Sequence, residues 1–419
     1  MNQEIQEKAN YCLNCKTKPC QKGCPLENDI PSFIDCMKKG EYKEAYQILS
    51  KTSMLQPICG RICPHESQCQ GSCIRGIKGE PTSIGELEAF VADIALKEGY
   101  AFSDEKIEKK NKKVAVVGGG PAGLTCAGFL ARMGYKVSIY EKYNQLGGII
   151  QHGIPTFRLN REIVEKTIQK ILDLGVQVYY GKELGKNLML EQLKKEYDAI
   201  FLGVGANVSS KMGIEGEDLQ GVYGGNELLE YQLHPDYAGK KVAVIGGGNV
   251  AMDCARTIKR LGAKEVVVIY RRAEEQMPAE RKEIQEAKEE GVEFLFLHNI
   301  IKILPDSNGE KVNKIECIET KLVQKEGDTR PSPVDIEGSN EIMDMDYVVM
   351  AIGSKPEEKI MQTLPVEKSK KGYITVNENY QTTEKGIFAG GDIIGQKATV
   401  AWAARAGRKA AEAIHEYLS

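Results

Sequence analysis

Residues 112–141 read KKVAVVGGGPAGLTCAGFLARMGYKVSIYE, and this stretch decides the fold class of the chain. An apolar run leads into a glycine-rich turn, then into a segment with helical spacing of apolar residues, then into a second apolar run. The pattern predicts strand, turn, helix and strand. It returns at residues 240–272 as KKVAVIGGGNVAMDCARTIKRLGAKEVVVIYRR. Two such units predict an α/β protein with two Rossmann-like nucleotide-binding domains.

The glycines of the first unit predict a dinucleotide site. Gly118, Gly120 and Gly123 form G-x-G-x-x-G directly after a strand and before a helix. Small residues there let a pyrophosphate reach the backbone N–H groups at the helix N-terminus. Glu141 ends the next strand, where its carboxylate can accept hydrogen bonds from ribose hydroxyls. We expect FAD at this site.

Two later segments are expected to line the longer part of the same ligand. Gly148 and Gly391 allow close backbone approach, and Asp392 can bond a ribityl or phosphate group. A helix beginning near residue 398, with Thr399 at its start, would direct its positive end at the flavin ring. A plain turn before a helix is the alternative interpretation of residues 390–392.

The second unit differs from the first at the end of its second strand. Its glycine turn is G-x-G-x-x-A, and the residues expected to contact the nucleotide are Gly246, Gly248, Asn249 and Ala251. Where the first unit has an acid, this one has Arg271 and Arg272. A guanidinium pairs with a 2′-phosphate that a carboxylate would repel, so we predict NADPH rather than NADH. Two solvated arginines are the alternative.

Nine of the cysteines fall between residues 12 and 73. They include two sets of four, each within fewer than 20 residues: Cys12, Cys15, Cys20 and Cys24, then Cys59, Cys63, Cys69 and Cys73. Two sets of closely spaced thiols predict metal binding, and soft thiolates suit iron–sulfur clusters or zinc. A flavin in the same chain favours iron–sulfur clusters. A zinc-binding scaffold without enzymatic activity is the alternative from another functional class.

The same patterns suggest the domain organisation. We expect a helical cysteine-rich domain at 1–110, the first part of the FAD-binding domain at 111–234, an inserted NADPH-binding domain at 235–352, and the second part of the FAD-binding domain at 353–419. The formal net charge of −3 and the lack of an apolar run of bilayer length predict neither nucleic acid nor membrane as partner. We therefore expect a cytoplasmic location.

With these motifs identified, the chain resembles the small (β) subunit of bacterial NADPH-dependent glutamate synthase along nearly its whole length. The same module forms the N-terminal half of dihydropyrimidine dehydrogenase and the large subunit of electron-bifurcating NADH-dependent ferredoxin:NADP oxidoreductase. The matching segments are CLNCKTKPCQKGCP, ICGRICPHESQCQGSC, GGGPAGL, LGGIIQHGIP, GGGNVAMDCARTIKRLGA, YRRAEEQMPA and AGGD.

The resemblance implies that the cluster ligands interleave between the two cysteine sets. One 4Fe-4S cluster would take Cys12, Cys15, Cys20 and Cys73, and the other would take Cys24, Cys63, Cys69 and Glu88. Spacing alone instead suggests Cys59 as the eighth ligand, and the choice between Glu88 and Cys59 stays open. The module from dihydropyrimidine dehydrogenase usually has Gln at the Glu88 position.

The resemblance also implies a function. NADPH would be oxidised through FAD, and two 4Fe-4S clusters would pass the electrons to a larger catalytic subunit or to ferredoxin. The leading hypothesis for the larger subunit is one that makes glutamate from 2-oxoglutarate and glutamine. Electron input to a dihydropyrimidine dehydrogenase and a bifurcating ferredoxin:NADP oxidoreductase are the alternatives. Since the cofactors do the chemistry, no catalytic acid or base is assigned.

Overall fold

The structure, a computed structural model, describes residues 3–324 and 330–419. The chain divides into two compact units. Unit 1 comprises Met1–Ala206 and Pro356–Ser419, and unit 2 comprises Asn207–Lys355. A nucleotide-binding domain inserted into another was predicted from the sequence, and this division agrees with that order of segments.

The N-terminal part of unit 1 is helical. Three of its helices have a proline in the first turn, at Pro19, Pro31 and Pro57. A backbone N–H at this position would have no partner within the helix, so proline costs no hydrogen bond there. Gly99 ends the longest helix in the left-handed conformation, with φ of 68°. The six helices are α1 (Gln3–Tyr11), α2 (Pro19–Gly23), α3 (Ile30–Lys39), α4 (Tyr42–Ser50), α5 (Gln56–Ile62) and α6 (Ile84–Glu98).

A five-stranded parallel sheet forms the centre of the FAD-binding domain. Its strands are β1 (Lys113–Val117), β2 (Lys136–Tyr140), β3 (Gln177–Tyr179), β4 (Ala199–Leu202) and β16 (Ile387–Ala389), in the order β16-β4-β1-β2-β3. The C-terminal strand pairs with β4 at Ile387↔Ile200, so the end of the chain completes the first nucleotide domain as predicted.

Helices cover this sheet and join it to the helical domain. They are α7 (Pro121–Arg132), α8 (Ile149–His152), α9 (Arg161–Leu172), α10 (Leu190–Glu196), α14 (Glu358–Thr363) and α15 (Val400–Leu418). Phe33 and Leu49 of the helical domain and Leu124 and Phe201 of the FAD-binding domain belong to one continuous apolar core. The two domains of unit 1 therefore bury a shared apolar surface, which stabilises their contact.

Unit 2 contains a second five-stranded parallel sheet in the order β6-β14-β7-β8-β9. Its strands are β6 (Val222–Gly224), β7 (Lys241–Ile245), β8 (Glu265–Tyr270), β9 (Glu293–Phe296) and β14 (Tyr347–Met350), with helices α11 (Gly225–Tyr231), α12 (Asn249–Arg260) and α13 (Arg281–Glu289). An antiparallel sheet adds β10 (His298–Pro305), β11 (Val312–Val323), β12 (Ser332–Asp335) and β13 (Glu341–Asp344). The short strands β5 (Val208–Ser209) and β15 (Ser354–Lys355) pair at the two ends of the unit.

Unit 2 begins earlier than the expected boundary at 235. β6 pairs with β14 at Val222↔Val348, so residues before 235 extend the second sheet rather than the first. A three-residue strand gives no sequence signal of which sheet it joins. Among the residues that the structure describes, no helix is long and apolar enough to cross a membrane.

Candidate cofactor sites

The glycine turn between β1 and α7 has no space for side chains at its key positions. Gly118 has φ of 100°, and a Cβ there would lie 2.5 Å from the carbonyl oxygen of Gly203. A Cβ on Gly123 would collide with the carbonyl oxygen of Gly118. Gly120 faces Gly148, whose Cβ would lie 3.0 Å from the Gly120 Cα. The turn therefore leaves backbone N–H groups bare at the start of α7, as a pyrophosphate requires.

Glu141 follows the last residue of β2 and is buried. Its Oε2 accepts a hydrogen bond of 2.7 Å from the N–H of Gly119, and its Oε1 accepts one of 3.0 Å from the N–H of Tyr143. These bonds fix the carboxylate beside the glycine turn. Each oxygen retains a lone pair for a further donor, so the position suits a ribose hydroxyl.

Asp392 lies just beyond β16, next to the start of α15. Its Oδ1 is buried without a hydrogen-bond partner among the described residues, and burial raises the pKa of this carboxyl to about 6. Gly391 precedes it with φ of 82°. Thr399 caps α15, its hydroxyl accepting a bond of 3.3 Å from the N–H of Trp402. A buried carboxylate with an unmade bond beside a helix N-terminus fits a polar ligand such as the flavin's ribityl chain.

The glycine turn of unit 2 repeats this geometry. Gly246 has φ of 137°, and a Cβ there would collide with the carbonyl oxygen of Ala351. Ala251 is fully buried on α12, and Gly248 is the N-cap of that helix. Asn249 accepts a hydrogen bond of 3.1 Å from the N–H of Glu280 through its Oδ1, which ties the helix start to a neighbouring turn.

The two arginines after β8 have different surroundings. Arg271 is exposed, whereas Arg272 is half-buried and donates from Nε to the carbonyl oxygen of Pro331 at 3.0 Å. The structure adds a third guanidinium that the sequence pattern did not indicate. Arg330 donates a bond of 3.0 Å to the hydroxyl of Tyr270, the last residue of β8, although it is 60 positions away along the chain. The end of β8 is therefore strongly cationic, which suits a 2′-phosphate.

The structure brings Cys12, Cys15, Cys20 and Cys73 to one pocket in the helical domain. Burial raises the pKa of the Cys20 thiol to about 11. Burial also acts on Cys73, but hydrogen bonds from the N–H and hydroxyl of Thr82, together with backbone N–H groups, lower its pKa overall. We call these four cysteines the outer site, because three of them are only half-buried.

A second group, the inner site, consists of Cys24, Cys63, Cys69 and Glu88. Burial, together with the smaller effects of the charges of Glu88 and Cys63, raises the pKa of Cys24 to about 12. Burial raises the pKa of Glu88 to about 8. The Nδ2 of Asn28 contacts Glu88 Oε1 at 3.5 Å. Cys73 thus lies with the first cysteine set and Cys24 with the second, whereas the role of these residues as cluster ligands stays a prediction.

Cys59 also lies at the inner site and is buried. A hydrogen bond with Cys63 lowers the pKa of its thiol, but burial and the charges of Glu88, Cys24 and Cys69 outweigh it. The inner site therefore has five candidate ligands, and the choice between Glu88 and Cys59 stays a prediction. In the part of the chain that the structure describes, no three His, Cys, Asp or Glu side chains close around a single-ion position.

Two family models match the chain. Residues 112–410 match the model described as pyridine nucleotide-disulphide oxidoreductase, and residues 1–100 match dihydropyrimidine dehydrogenase domain II, 4Fe-4S cluster. The first covers both nucleotide domains and the second covers both thiol sites. The 4Fe-4S match favours iron–sulfur chemistry over zinc, and the soft thiol donors of the outer and inner sites fit that chemistry.

Relatives match from end to end. The chain is 36% identical to the NADPH-dependent glutamate synthase small chain of Halomonas elongata, over 99% of this chain and 91% of that one. It is 35% identical to the Escherichia coli glutamate synthase small chain, over 99% and 92%. The NADP(+)-dependent formate dehydrogenase subunit beta of Moorella thermoacetica is 38% identical, over 96% of this chain and 60% of that protein.

Solved structures show the fold of the nucleotide domains. FprA of Mycobacterium tuberculosis, in complex with NADPH, has a TM-score of 0.65 at 19% identity, over 74% of this chain and 85% of that one. Thioredoxin reductase of T. acidophilum has a TM-score of 0.55 at 21% identity, over 74% and 100%.

Together, the nucleotide sites, the thiol sites and these matches identify an NADPH-dependent FAD oxidoreductase with a 4Fe-4S domain that acts in electron transfer. This chain belongs to the NADPH-dependent glutamate synthase small-chain family.

Proposed function

We propose that this chain takes electrons from NADPH through FAD and two 4Fe-4S clusters, and delivers them to a larger subunit that makes glutamate from 2-oxoglutarate and glutamine. The observation that carries the proposal is the coexistence of two separate thiol-rich sites with both glycine turns, in a chain whose match to glutamate synthase small chains spans nearly all of both proteins.

Each set of residues has a defined task in this proposal. When bound, FAD would supply the conversion of a two-electron hydride into single electrons of the kind that iron–sulfur clusters carry. The turn at Gly118 and the start of α7 hold the FAD pyrophosphate, and Glu141 holds its ribose. Asp392 and the N-terminus of α15 bind nearer the flavin. None of these residues is assigned a proton-transfer role, because hydride transfer needs positioning rather than a side-chain acid or base.

The residues of unit 2 bind and select the nicotinamide nucleotide. The turn at Gly246 and the start of α12 receive the pyrophosphate, and Arg271 and Arg272 pair with the 2′-phosphate that distinguishes NADPH from NADH. Arg330 contributes a further positive charge beside Tyr270. This arrangement stabilises the phosphorylated nucleotide through charge-assisted hydrogen bonds.

Nucleotide preference tests this part of the proposal. The double variant Arg271→Ala/Arg272→Ala should raise KM for NADPH by roughly 100-fold or more, since two charge-assisted bonds of roughly 1.5–3 kcal/mol each are lost, and should change KM for NADH little. Lys264→Ala, an exposed cation just before β8, is the matched control. Equal losses with NADPH and NADH would contradict the assignment.

Cofactor content and partner identity test the rest. Protein purified without oxygen should hold about eight iron atoms per chain, as two four-iron clusters require, whereas about four would contradict the second cluster. A tagged chain from its native cells should co-purify with a subunit that forms glutamate from 2-oxoglutarate and glutamine at the expense of NADPH. A formate-oxidising partner would instead favour the alternative suggested by the Moorella relative.

A further inference from the structure

The mouth of the outer site has an apolar and positively charged surface. Among the described residues of the helical domain, all the exposed large apolar side chains lie on the two segments that flank this pocket: Tyr11, Leu13, Ile74 and Ile77, which are 38%, 50%, 39% and 75% exposed. Leu13 and Ile74 line the pocket together with the four outer cysteines. Exposed apolar side chains grouped in this way are typical of a protein-binding surface.

Contacts within this surface hold the two segments together. The guanidinium of Arg75 lies 4.2 Å from the centre of the Tyr11 ring, and its Nε donates to the Tyr11 carbonyl oxygen at 2.9 Å. The hydroxyl of Tyr11 donates to the carbonyl oxygen of Glu80 at 3.1 Å. Leu13 and Ile77 therefore project from a fixed frame rather than from separate loops.

The rim of the surface is basic. Residues 11–24 contain three lysines and no acid, and residues 73–80 add Arg75 and Lys78 against a single acid, Glu80. Lys16, Lys22 and Lys78 are exposed. Lys18 is paired with Asp29 at 2.7 Å. The whole chain carries a formal net charge of −3, so this cationic rim is a local feature, and it complements an acidic surface on another protein.

We propose that this surface is the docking site of an electron-transfer protein or subunit with an acidic rim around an apolar centre. The inference rests on the proposed function, because it takes the outer site as the place where electrons leave or enter the chain. In the leaving direction, NADPH and two oxidised one-electron carriers give NADP⁺, a proton and two reduced carriers. The apolar centre excludes water and the lysines orient the partner.

Protein carriers of opposite charge test the proposal with the complete chain, its FAD and iron–sulfur clusters in place and no larger subunit bound. The probes are a plant-type 2Fe-2S ferredoxin, which is acidic and supplied reduced together with NADP⁺, and cytochrome c, which is basic and supplied oxidised together with NADPH. Ferricyanide, a small acceptor that needs no docking surface, reports the rest of the enzyme. The variant is Lys16→Glu/Lys22→Glu/Lys78→Glu. Its matched control is Lys51→Glu/Lys106→Glu/Lys109→Glu, exposed lysines outside the two segments with the same change of charge.

The expected results differ in sign between the two protein probes. Charge reversal at the rim should lower kcat/KM for ferredoxin at least 10-fold, remove most of its salt dependence, and raise the rate with cytochrome c. A misfolded variant would not react faster with cytochrome c. The control triple should change each rate less than 2-fold. Leu13→Ser/Ile77→Ser should lower the ferredoxin rate but keep its salt dependence, because the rim charges remain.

Three outcomes would overturn the docking site. These are equal effects of the two triple variants, no effect of the rim variant, or a wild-type holoenzyme that reduces ferricyanide but exchanges no electrons with ferredoxin at any ionic strength. Failure of the proposed function is a separate result. It would be seen as a wild-type protein without iron or without NADPH–ferricyanide activity.

Discussion

The outer and inner thiol sites lie in the same small domain but have opposite surroundings. The outer site opens to solvent between exposed apolar side chains, and only Cys20 among its ligands is buried. At the inner site Cys63, Cys69 and Glu88 are all buried. The difference matches the order of electron transfer that we propose, in which the outer site meets a partner protein and the inner site receives electrons from the flavin.

The inner site is connected to the FAD-binding domain by an arginine pair on α15. Arg405 donates to the carbonyl oxygen of Pro25 at 2.7 Å, and Arg408 donates to that of Leu26 at 3.3 Å. Both arginines also pair with Glu27, at 3.0 and 3.1 Å. Glu27 closes the turn that begins at Cys24, with φ of 61° and its N–H bonded to the Cys24 carbonyl oxygen at 2.9 Å.

This arginine pair links the two cofactor regions through one helix. Arg405 is six residues beyond Thr399, which is about 9 Å along the helix axis. Burial raises the pKa of Glu27, but the hydrogen bonds and charges of Arg408 and Arg405 outweigh it and lower the pKa overall. The carboxylate of Glu27 therefore stays charged near neutral pH. The helix α15 therefore carries both the end that we assign to the flavin and the arginines that hold the turn at Cys24.

The difference between the two sites predicts the largest effect when a single cysteine is replaced at one site or at the other. Cys69→Ser and Cys15→Ser should each remove about four iron atoms per chain, as loss of one cluster requires. Only Cys69→Ser should also stop NADPH from reducing the remaining iron, because the contacts of α15 with the turn at Cys24 place the inner site beside the FAD-binding domain. We expect at least a 100-fold loss of cytochrome c reduction, measured with EPR and iron assays after anaerobic addition of NADPH.

Two controls separate this effect from misfolding. Cys36→Ser removes a half-buried cysteine outside both sites and should leave the iron content unchanged. Retained FAD and retained ferricyanide reduction in Cys69→Ser would show that the nucleotide domains are intact. If NADPH still reduced the remaining iron of Cys69→Ser at the wild-type rate, the order of the two sites would be wrong.

The fourth ligand of the inner site gives the next largest effect. Glu88→Ala should lose or alter one cluster, seen as a lower iron content or a changed EPR signal, whereas Cys59→Ala should leave both clusters in place. Both side chains reach the same buried site, but the thiol of Cys59 already makes a hydrogen bond with Cys63. We therefore expect Glu88 to be the ligand. Loss of iron from Cys59→Ala together with full iron in Glu88→Ala would reverse the assignment.

The fold was predictable because its signals are local. The two glycine turns combine strand, turn and helix within 30 residues or so, and the structure places Gly118 and Gly246 in positive-φ turns as expected. Glu141 was expected near the glycine turn from its position after a strand, and it accepts a hydrogen bond from the N–H of Gly119 there; the nucleotide contacts of Glu141 and Arg271 stay predictions. The positions of these residues are determined by neighbours close to them along the chain, so the order of the sequence is enough to predict them.

Other features depend on contacts that sequence order does not reveal. Arg330 reaches Tyr270 from the segment just before β12, and Arg408 reaches Glu27 from the opposite end of the chain. The interleaving of the cysteines came from resemblance, because spacing favours two sets of consecutive ligands. The boundary at Asn207 depends on the pairing of one short strand. In each case the deciding interaction is long-range, and the local pattern is compatible with several partners.

The arginine pair predicts a smaller, kinetic effect. Arg408→Ala removes a buried guanidinium from Glu27 and from the Leu26 carbonyl oxygen, so the turn at Cys24 should lose its fixed position relative to α15. We expect electron transfer from flavin to the inner site to slow about 10-fold, since electron and group transfers depend steeply on positioning. Anaerobic stopped-flow should show an unchanged rate of flavin reduction by NADPH. Lys409→Ala, next to it on α15, is the control and should change neither rate.

The smallest expected effect concerns the hydrogen bonds of the outer site. The N–H and hydroxyl of Thr82 lie 3.5 and 3.6 Å from the sulfur of Cys73. Hydrogen bonds to sulfur raise the reduction potential of a cluster, because they stabilise added negative charge. Thr82→Val removes the hydroxyl and keeps the shape, so the outer potential should fall by roughly 20–60 mV, the equivalent of one hydrogen bond of about 0.5–1.5 kcal/mol. Potentiometric EPR should show no change at the inner site, and Thr17→Val, an exposed threonine, should change neither potential. A shift at the inner site instead would mean that Cys73 binds there, and the separation of the two sites would then be wrong.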